Sequence, residues 1–333
     1  MILRVISKIE GRRHHRRPLL GIGTSRRSWA LPRAILLVVS LSLVPLACGS
    51  NAKPTPGAGG RAIIVVSYPV LGAVVTDLVR DRAEVRVLMG NGTDPHDWSP
   101  SAKDIAMVRN ADLVVVNGLG LEEGLHAALA EAKATGVPVF EATDHLNIRP
   151  LSSAADNQPP KDHLDGDPHF WVDPWSMAAV VEALAAELAA TLALDVTASA
   201  AALRAELIAL DERTQAKTAT VPVGRRKLVT GHQSLGYFAD RYGFEHIGAV
   251  VPSLSSQAET SAAQLARLNE QIRRAGVSVL FTEIGTPAAV ARAVANETGT
   301  TLVELATHTL PADGKYRTFI TELADCIVAA LSA

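Results

Sequence analysis

The chain has 333 residues, of which 48% are hydrophobic and 20% are charged, and its formal net charge is −2. This composition excludes a disordered or membrane-embedded chain and is typical of a soluble globular protein. A chain of this length buries a large core and usually forms two domains.

The first 48 residues differ from the rest, because they contain nine Lys or Arg and a single acid, Glu10. An uninterrupted apolar run, AILLVVSLSLVPLA, follows the basic part and ends at Cys48. The run is too short to span a bilayer comfortably but fits the apolar core of an export signal. Its end, Leu-Ala-Cys-Gly, resembles a bacterial lipoprotein cleavage site, although Pro45 departs from the usual Leu. We therefore predict that residues 1–48 are a signal and that Cys48 carries a lipid.

The leader also contains TSRRSW, which loosely resembles a twin-arginine export signal. A basic leader with a misassigned start explains the same residues equally well. Residues 49–60 are rich in Gly, Pro and Ala and predict a flexible tether.

Removing the leader's charge of +8 leaves a chain of about −10, since the whole carries −2. An acidic exported chain argues against nucleic acid as a partner and is compatible with a cationic ligand. If Cys48 is acylated, Cys326 is the only other thiol. An internal disulfide is then excluded, and thiolate ligation of a metal is disfavoured.

Beyond the tether, short β-branched runs alternate with Ala- and Leu-rich stretches in two blocks. Continuous apolar runs separated by helices are typical of parallel strands that are buried on both faces. We therefore predict an α/β protein with two lobes and parallel sheets. The predicted strands cover residues 62–67, 84–89, 112–117 and 137–142 in the first block, and 227–231, 245–250, 277–283 and 301–305 in the second.

A stretch rich in Ala, Leu and Glu, without internal Gly, separates the two blocks. It predicts a long, rigid linker helix over residues 176–220, unbroken or interrupted near Asp195. Residues 61–175 then form the N-terminal lobe and 221–333 the C-terminal lobe. Facing α/β lobes place the carboxyl ends of their strands, and hence a ligand site, in the cleft between them.

Two pentapeptides with the pattern Asp-Pro-His-x-Trp present His96 and His169 in the same local context. Because the chain has only 10 His and 4 Trp, chance is a poor explanation of this repeat. His232 and His308 each follow a predicted strand of the C-terminal lobe. All four histidines therefore lie in loops, two in each lobe, and a single ion held by all four would join the lobes.

A lone loop histidine is more often a surface or hydrogen-bonded residue than a ligand. For His96 and His169 the repeated context argues against that interpretation, since the preceding Pro fixes the backbone and the Asp can orient the ring. His126, His145 and His246 are predicted to be structural, and His14 and His15 belong to the leader.

The segments around these histidines resemble the zinc/manganese-binding solute-binding proteins of bacterial ABC transporters, the metal-receptor lipoproteins of the zinc-uptake type. The resemblance covers residues 61–333. The matching segments are GTDPHDWSPSAKDIAMVRNADLVVVNGLGLE, DPHFWVDPWSM, GHQSLGYFADRYGF and VLFTEIGTPAAVARAVANETG. In the third of these segments, zinc receptors of the family have His at the leading position and manganese receptors commonly have Glu. This chain has His232 there.

The resemblance implies two (β/α)4 lobes joined by a long linker helix, with the metal in the inter-lobe cleft. It implies His96, His169 and His232 as the first three ligands. Related proteins often have Asp at the fourth position, where the segment ATHTL places His308. If the alignment slips, Asp313, Glu283 or water completes the shell.

Three or four imidazoles favour Zn(II) over Mn(II), because manganese prefers more oxygen ligands. Acids next to the ligands would offset the charge of the ion, and the candidates are Asp94, Asp167 and Glu283. Zinc receptors of this type commonly carry a mobile His- and Asp-rich loop between the first two ligands. In this chain, residues 152–167 occupy that place. They form either a metal-capturing lid or, equally well, a solvated polar loop. If they form a lid, the candidate metal-capturing residues are Asp162, His163 and Asp165.

We therefore expect a non-enzymatic, monomeric receptor, lipid-anchored to the outer face of the cytoplasmic membrane. It would capture Zn(II) as its transported ligand and deliver it to an ABC permease. Two alternatives stay open: a manganese or iron receptor of the same fold, and a secreted zinc-dependent hydrolase with Glu283 as general base. The hydrolase needs an open coordination position, and the chain has no His-Glu-x-x-His motif or serine nucleophile elbow.

Overall fold

The computed structural model describes residues 60–150, 166–284 and 288–333, in which strands and helices alternate. The strands are β1 (Ala62–Val66), β2 (Ala83–Val87), β3 (Leu113–Val116), β4 (Val139–Glu141), β5 (Lys227–Thr230), β6 (Glu245–Ala249), β7 (Val279–Glu283) and β8 (Thr301–Leu305). The α-helices are α1 (Pro69–Val79), α2 (Ala102–Arg109), α3 (His126–Ala134), α4 (Pro174–Leu192), α5 (Thr197–Thr218), α6 (Gly236–Tyr242), α7 (Ala262–Ala275), α8 (Ala289–Thr298) and α9 (Tyr316–Ser332).

The N-terminal lobe is built on one parallel sheet with the strand order β2-β1-β3-β4. Successive residues of β1 point to opposite faces of this sheet. Ile64 and Val66 therefore join a core cluster that includes residues of α1, whereas Val65 packs with Val108 of α2 and Ala132 of α3. Both faces of the strand are covered, which explains why its apolar residues are continuous.

The C-terminal lobe has two parallel ladders, β5 with β6 and β7 with β8. β5 lies beside β7, so the four strands occupy one layer in the order β6, β5, β7, β8. The register of the first ladder shifts after Leu228, which pairs with His246, while Val229 pairs with Gly248. The predicted α/β architecture with parallel strands is confirmed, and the strand limits differ from the prediction by one or two residues at most of their ends.

The predicted linker segment forms two helices that pack against each other. α4 ends at Leu192, where Ala193 adopts a left-handed conformation with a φ of 50°, and α5 begins at Thr197. The interruption lies where the sequence indicates a break near Asp195. α5 contacts α1 of the first lobe and α9 of the second, so this helix packs against both lobes. By length and composition α4 could cross a membrane, but it packs against α5 and α1.

Each Asp-Pro-His segment leads into a capped helix. The Ser101 side chain accepts a hydrogen bond from the N–H of Asp104, whose carboxylate accepts one from the N–H of Ser101, which forms a capping box on α2. The Asp173 carboxylate accepts two backbone hydrogen bonds from the first turn of α4. A cap fixes the direction in which the chain enters its helix. The caps on α2 and α4 therefore fix the carboxyl-terminal ends of the loops that contain His96 and His169.

Candidate metal centre

The two Asp-Pro-His segments fold in the same way at the backbone. Asp94 Oδ1 accepts a hydrogen bond from the N–H of His96 at 3.0 Å, and Asp167 Oδ1 accepts one from the N–H of His169 at 2.9 Å. Each Asp thus reaches across a Pro that has no N–H to donate. The repeated pentapeptide encodes a repeated turn, and each turn presents a buried imidazole.

The ring of His169 is oriented by the same carboxylate. Its Nδ1 lies 2.9 Å from Asp167 Oδ1, and Asp167 is fully buried. A carboxylate only accepts hydrogen bonds, so Nδ1 carries the proton and Nε2 carries a lone pair. Asp167 therefore selects the tautomer in which Nε2 can bind a cation.

His232 follows β5 and is held by Glu283, the last residue of β7. Glu283 Oε1 lies 3.2 Å from His232 Nδ1, and it accepts hydrogen bonds from the His232 N–H at 3.5 Å and the Ser234 hydroxyl at 2.8 Å. A β-carbon on Gly231 would lie 2.0 Å from Glu283 Oε2, so only Gly permits this approach. Adjacent strands thus place the imidazole and its carboxylate together at their carboxyl ends.

Three imidazoles converge at one point between the lobes. His169 Nε2 lies 3.2 Å from His96 Nε2 and 3.3 Å from His232 Nε2, and the three ligand atoms fall within 4.8 Å of one another. In a tetrahedral zinc site with Zn–N bonds of about 2.0–2.1 Å, neighbouring nitrogens are about 3.3–3.4 Å apart. Since the His169 nitrogen presents a lone pair to the other two rings, a cation at their centre fits the donor set.

His308 lies beside this group, in the loop after β8. It is buried, its Nδ1 is 3.3 Å from the Thr307 hydroxyl, and its Nε2 has no hydrogen-bond partner. It lies outside the group of three, although it is near enough to influence the pKa of His96. The structure therefore brings a fourth imidazole to the site with one nitrogen available.

Burial controls the charge of these histidines. Burial, reinforced by His169, lowers the pKa of His96 well below its ordinary value. Burial also lowers the pKa of His169, against the opposing effect of Asp167, and it lowers the pKa of His308.

His232 behaves differently from the other three. Burial acts to lower its pKa, but the Glu283 carboxylate and other nearby acids outweigh burial, so the pKa is raised. The pKa of Glu283 is lowered in turn, because contact with His232 outweighs the raising effect of burial. The site thus favours neutral, ligand-competent imidazoles at three positions and, at the fourth, an imidazole in close contact with a carboxylate, with 3.2 Å between His232 Nδ1 and Glu283 Oε1.

The other candidate residues are distributed as follows. Asp94 lies next to the site, and its Oδ2 accepts a hydrogen bond from the Ser256 hydroxyl of the opposite lobe at 2.6 Å. Asp313 does not reach the site, because it is exposed and its carboxylate accepts hydrogen bonds from Lys315 N–H and the Thr318 hydroxyl. The candidate residues Cys48, Asp162, His163 and Asp165 lie outside the described residues.

The histidines predicted to be structural lie away from the cluster. His126 and His145 are exposed, and the ring of His145 stacks on Phe140 with 4.6 Å between centroids. His246 Nε2 lies 3.0 Å from the Thr230 hydroxyl, and burial lowers its pKa to about 4.

A buried polar network contacts the second Asp-Pro-His segment, and the sequence analysis did not assign a role to its residues. Asn117 Nδ2 donates to the carbonyl oxygen of Pro168 at 2.9 Å, and the Tyr68 hydroxyl donates to Asn117 Oδ1 at 3.0 Å. Glu122 Oε1 accepts from the Asn117 N–H at 2.7 Å and from the Ser67 hydroxyl at 2.6 Å. The network fixes the residue before His169. Its signal was present in the Asn-Gly-x-x-Leu-Glu segment that follows β3.

Two parallel α/β lobes with buried histidines converging between them define a two-lobe metal-binding protein. The chain belongs to the family described as "Zinc-uptake complex component A periplasmic" (ZnuA), whose profile matches residues 64–330. The family predicted from the sequence is confirmed.

Several named proteins are similar to this chain. The manganese-binding lipoprotein MntA of Halalkalibacterium halodurans is 27% identical over 267 residues, which cover 79% of this chain and 84% of the relative. The zinc-binding lipoprotein AdcA of Streptococcus pneumoniae is 29% identical over 276 residues, or 79% of this chain and 53% of the relative. This chain therefore spans about half the length of AdcA.

This chain also aligns with solved structures, and each alignment includes nearly the whole chain of the solved protein. The periplasmic zinc-binding protein TroA from Treponema pallidum aligns with a TM-score of 0.70 at 26% identity, over 82% of this chain and 99% of TroA. A zinc-bound deletion mutant of ZnuA aligns with a TM-score of 0.68 at 24% identity, over 82% of this chain and 99% of that chain. The two-lobe fold is thus confirmed.

Proposed function

We propose that this protein is an extracytoplasmic receptor that captures Zn(II) and delivers it to an ABC permease. The observation that carries the proposal is the convergence of His96, His169 and His232, whose Nε2 atoms have the spacing of zinc ligands. Family membership and the zinc-binding relatives support the same function. Lipid attachment at Cys48 would keep the receptor on the outer face of the cytoplasmic membrane, close to its permease.

His308 is proposed as the fourth ligand. Its Nε2 is buried without a partner, and such a nitrogen is costly unless something binds it. Four imidazoles are suited to zinc, whereas manganese prefers a site with more oxygen donors. A manganese-binding relative keeps manganese as the second candidate cargo.

The ligand set is neutral, and acids around it supply the compensating charge. Asp167 and Glu283 each contact one ligand imidazole, and Asp94 holds the backbone of a third. Such carboxylate–histidine–metal arrangements orient the ring and strengthen it as a donor. We assign these three acids to that role and not to ligation.

We propose that the protein is not an enzyme. Four protein ligands close a tetrahedral zinc, while catalysis requires a position for water. Glu283, the candidate general base of a hydrolase, has Oε1 engaged by His232 and Ser234. Ester or peptide hydrolysis that chelators abolish would favour the hydrolase instead.

The proposal is tested by titrating the purified full chain with zinc. We expect about one tight site per chain, lost when both His96→Ala and His169→Ala are present. The matched control is His126→Ala with His145→Ala, which removes two exposed histidines and should leave the stoichiometry unchanged. Unchanged tight binding in the first double variant would contradict the proposal.

A further inference from the structure

Arg149 joins three parts of the molecule next to the metal centre. Its Nη1 lies 3.4 Å from Asp167 Oδ2, and its Nε donates to Asp240 Oδ2 at 2.7 Å. Its backbone N–H donates to the Tyr237 hydroxyl at 3.0 Å, and that hydroxyl donates to the Asp167 carbonyl oxygen at 3.2 Å. Asp240 and Tyr237 belong to α6 of the C-terminal lobe. The arginine therefore connects this helix to Asp167.

The two carboxylate oxygens of Asp167 have different partners. Oδ1 faces the backbone N–H and the ring Nδ1 of His169, and Oδ2 faces the Arg149 guanidinium. Because Asp167 is fully buried, its charge needs partners that replace water. Arg149 contacts Oδ2, the oxygen of Asp167 that His169 does not contact. The two partners together therefore fix the rotation of the carboxylate about the Cβ–Cγ bond of Asp167.

The first residue of α6 packs closely against this ion pair. A β-carbon on Gly236, the first residue of α6, would lie 2.5 Å from Asp167 Oδ2 and 2.6 Å from Arg149 Nη1. The Asp167 N–H also donates to the Arg149 carbonyl oxygen at 3.0 Å. The pair is therefore held from three sides, by backbone, by α6 and by the imidazole.

We propose that Arg149 is a positioning residue for the metal centre, which acts through Asp167 on the orientation of His169. The proposal rests on the zinc-binding function argued above. Without the guanidinium, Asp167 rotates to find another partner, and His169 loses the acceptor that holds its Nδ1–H. The Nε2 lone pair then no longer points steadily at the other two imidazoles.

The experiment compares full-length Arg149→Ala with wild type in zinc affinity and in the visible absorption of bound Co(II), which reports ligand geometry. Loss of a partner outside the ligand shell typically weakens metal affinity 10–100-fold, and we expect about 10-fold here. The Co(II) bands should change in position or intensity. Arg149→Lys, which restores a cation near Asp167, should recover part of both effects.

Arg241→Ala is the matched control, because Arg241 of α6 makes an equivalent pair with a buried carboxylate. Its Nε donates to Oδ1 of Asp211 of α5 at 2.8 Å, and neither residue contacts a candidate ligand. It should lower thermal stability and leave zinc affinity and the Co(II) spectrum unchanged. Asp240→Asn removes only the exposed partner of Arg149 and should change affinity little.

Wild-type zinc affinity and an unchanged Co(II) spectrum in folded Arg149→Ala would overturn the inference while leaving the zinc function intact. Failure of wild type itself to bind zinc would overturn the proposed function. If Arg149→Ala does not fold, the same measurements on Arg149→Gln, which keeps the side chain as far as Cδ but removes the guanidinium and its charge, decide the question. If Arg149→Ala and Arg241→Ala lose zinc affinity equally, the loss comes from lower overall stability, and the inference is also overturned.

Discussion

The indole Nε1 of Trp171 donates a hydrogen bond to the carbonyl oxygen of Thr307 at 2.7 Å. Trp171 ends the second Asp-Pro-His-x-Trp segment, and Thr307 precedes His308 in the other lobe. The repeated pentapeptide thus contributes a ligand candidate through its His and a tie between lobes through its Trp. The hydroxyl of Tyr316 donates to the Trp171 carbonyl oxygen at 2.9 Å and strengthens the tie.

Replacing Trp171 by Phe removes this donor and leaves a buried carbonyl oxygen without its partner. We expect the free energy of unfolding to fall by about 1–3 kcal/mol. Zinc should dissociate several-fold faster, because the loop of His308 is no longer tied to the second Asp-Pro-His segment. Stopped-flow transfer of zinc to a chromogenic chelator measures the rate. Trp175→Phe is the control, since Trp175 is half exposed, and equal rates in the two variants would contradict the prediction.

Glu283→Gln tests whether this residue is a ligand or an orienting acid. We expect about one zinc per chain to be retained, with affinity reduced about 10–100-fold because the His232 ring loses its charged partner. Calorimetric titration separates stoichiometry from affinity. Complete loss of the site in a folded variant would identify Glu283 as a ligand and contradict the proposed set.

Gly231→Ala tests the close approach of β5 to Glu283. The new β-carbon would meet Glu283 Oε2 at 2.0 Å, so the carboxylate must move away from His232. We expect a loss of roughly 1–3 kcal/mol in unfolding free energy, as for overpacking of a core, together with weaker zinc binding. Gly224→Ala is the control, because nothing lies within 4 Å of its added carbon. Wild-type melting temperature and zinc affinity in Gly231→Ala would show that the site tolerates the displacement.

Much of this arrangement was predictable from the sequence, for identifiable reasons. The parallel strands are continuous apolar runs, and the strand over 301–305 was predicted with its observed limits. The Asp-Pro-His repeat marked His96 and His169 because the same turn chemistry occurs twice. The break between α4 and α5 was harder to define, since Ala193 takes the left-handed conformation that usually signals Gly.

The partners across the lobes were not predictable. Arg149 and Trp171 contact Asp240 and Thr307, which come from distant parts of the sequence. The Asp-Pro-His-x-Trp repeat marks Trp171 but not its partner, and no motif marks Arg149. Asp313 was proposed as a ligand in case the alignment with the family slips, but its carboxylate accepts a local hydrogen bond from the Lys315 N–H instead. Contacts between the lobes depend on how the lobes pack, which a single sequence does not specify.

Zinc affinity should fall as the pH decreases, with a defined order of protonation. The pKa of His232 is raised, so this imidazole is the first to bind a proton as the pH drops through that value. The pKa values of His96, His169 and His308 are lowered by burial, so these rings stay neutral to lower pH. Protonated imidazole cannot ligate, so affinity should begin to weaken above about pH 6.5, where His232 binds its proton, and should fall further at lower pH as the other three rings are protonated. Titrations across this range test the order, and a pH-independent affinity would contradict it.

Protonation also bears on the stability of the metal-free protein. A depressed histidine pKa contributes stability that is present above the unfolded-state value of about 6.5 and is lost as the pH falls through the folded-state value. His96, His169 and His308 belong to this class. His232 has the opposite sign, since a raised pKa stabilises the fold at low pH and the contribution is lost as the pH rises through it. Because three groups oppose one, we expect the melting temperature of the metal-free protein to fall on acidification.

His308→Asp should shift the metal preference of the site. A carboxylate at this position supplies an oxygen donor and a negative charge, both of which favour manganese relative to an all-imidazole set. We expect zinc to remain bound, because His96, His169 and His232 keep their spacing, while the ratio of zinc to manganese affinity decreases. Competition titrations with both metals measure that ratio. His308→Asn is the matched control, since it supplies an oxygen without the charge and should shift the ratio less. An unchanged ratio in both variants, with zinc still bound by the other three histidines, would show that the residue at position 308 does not contact the ion.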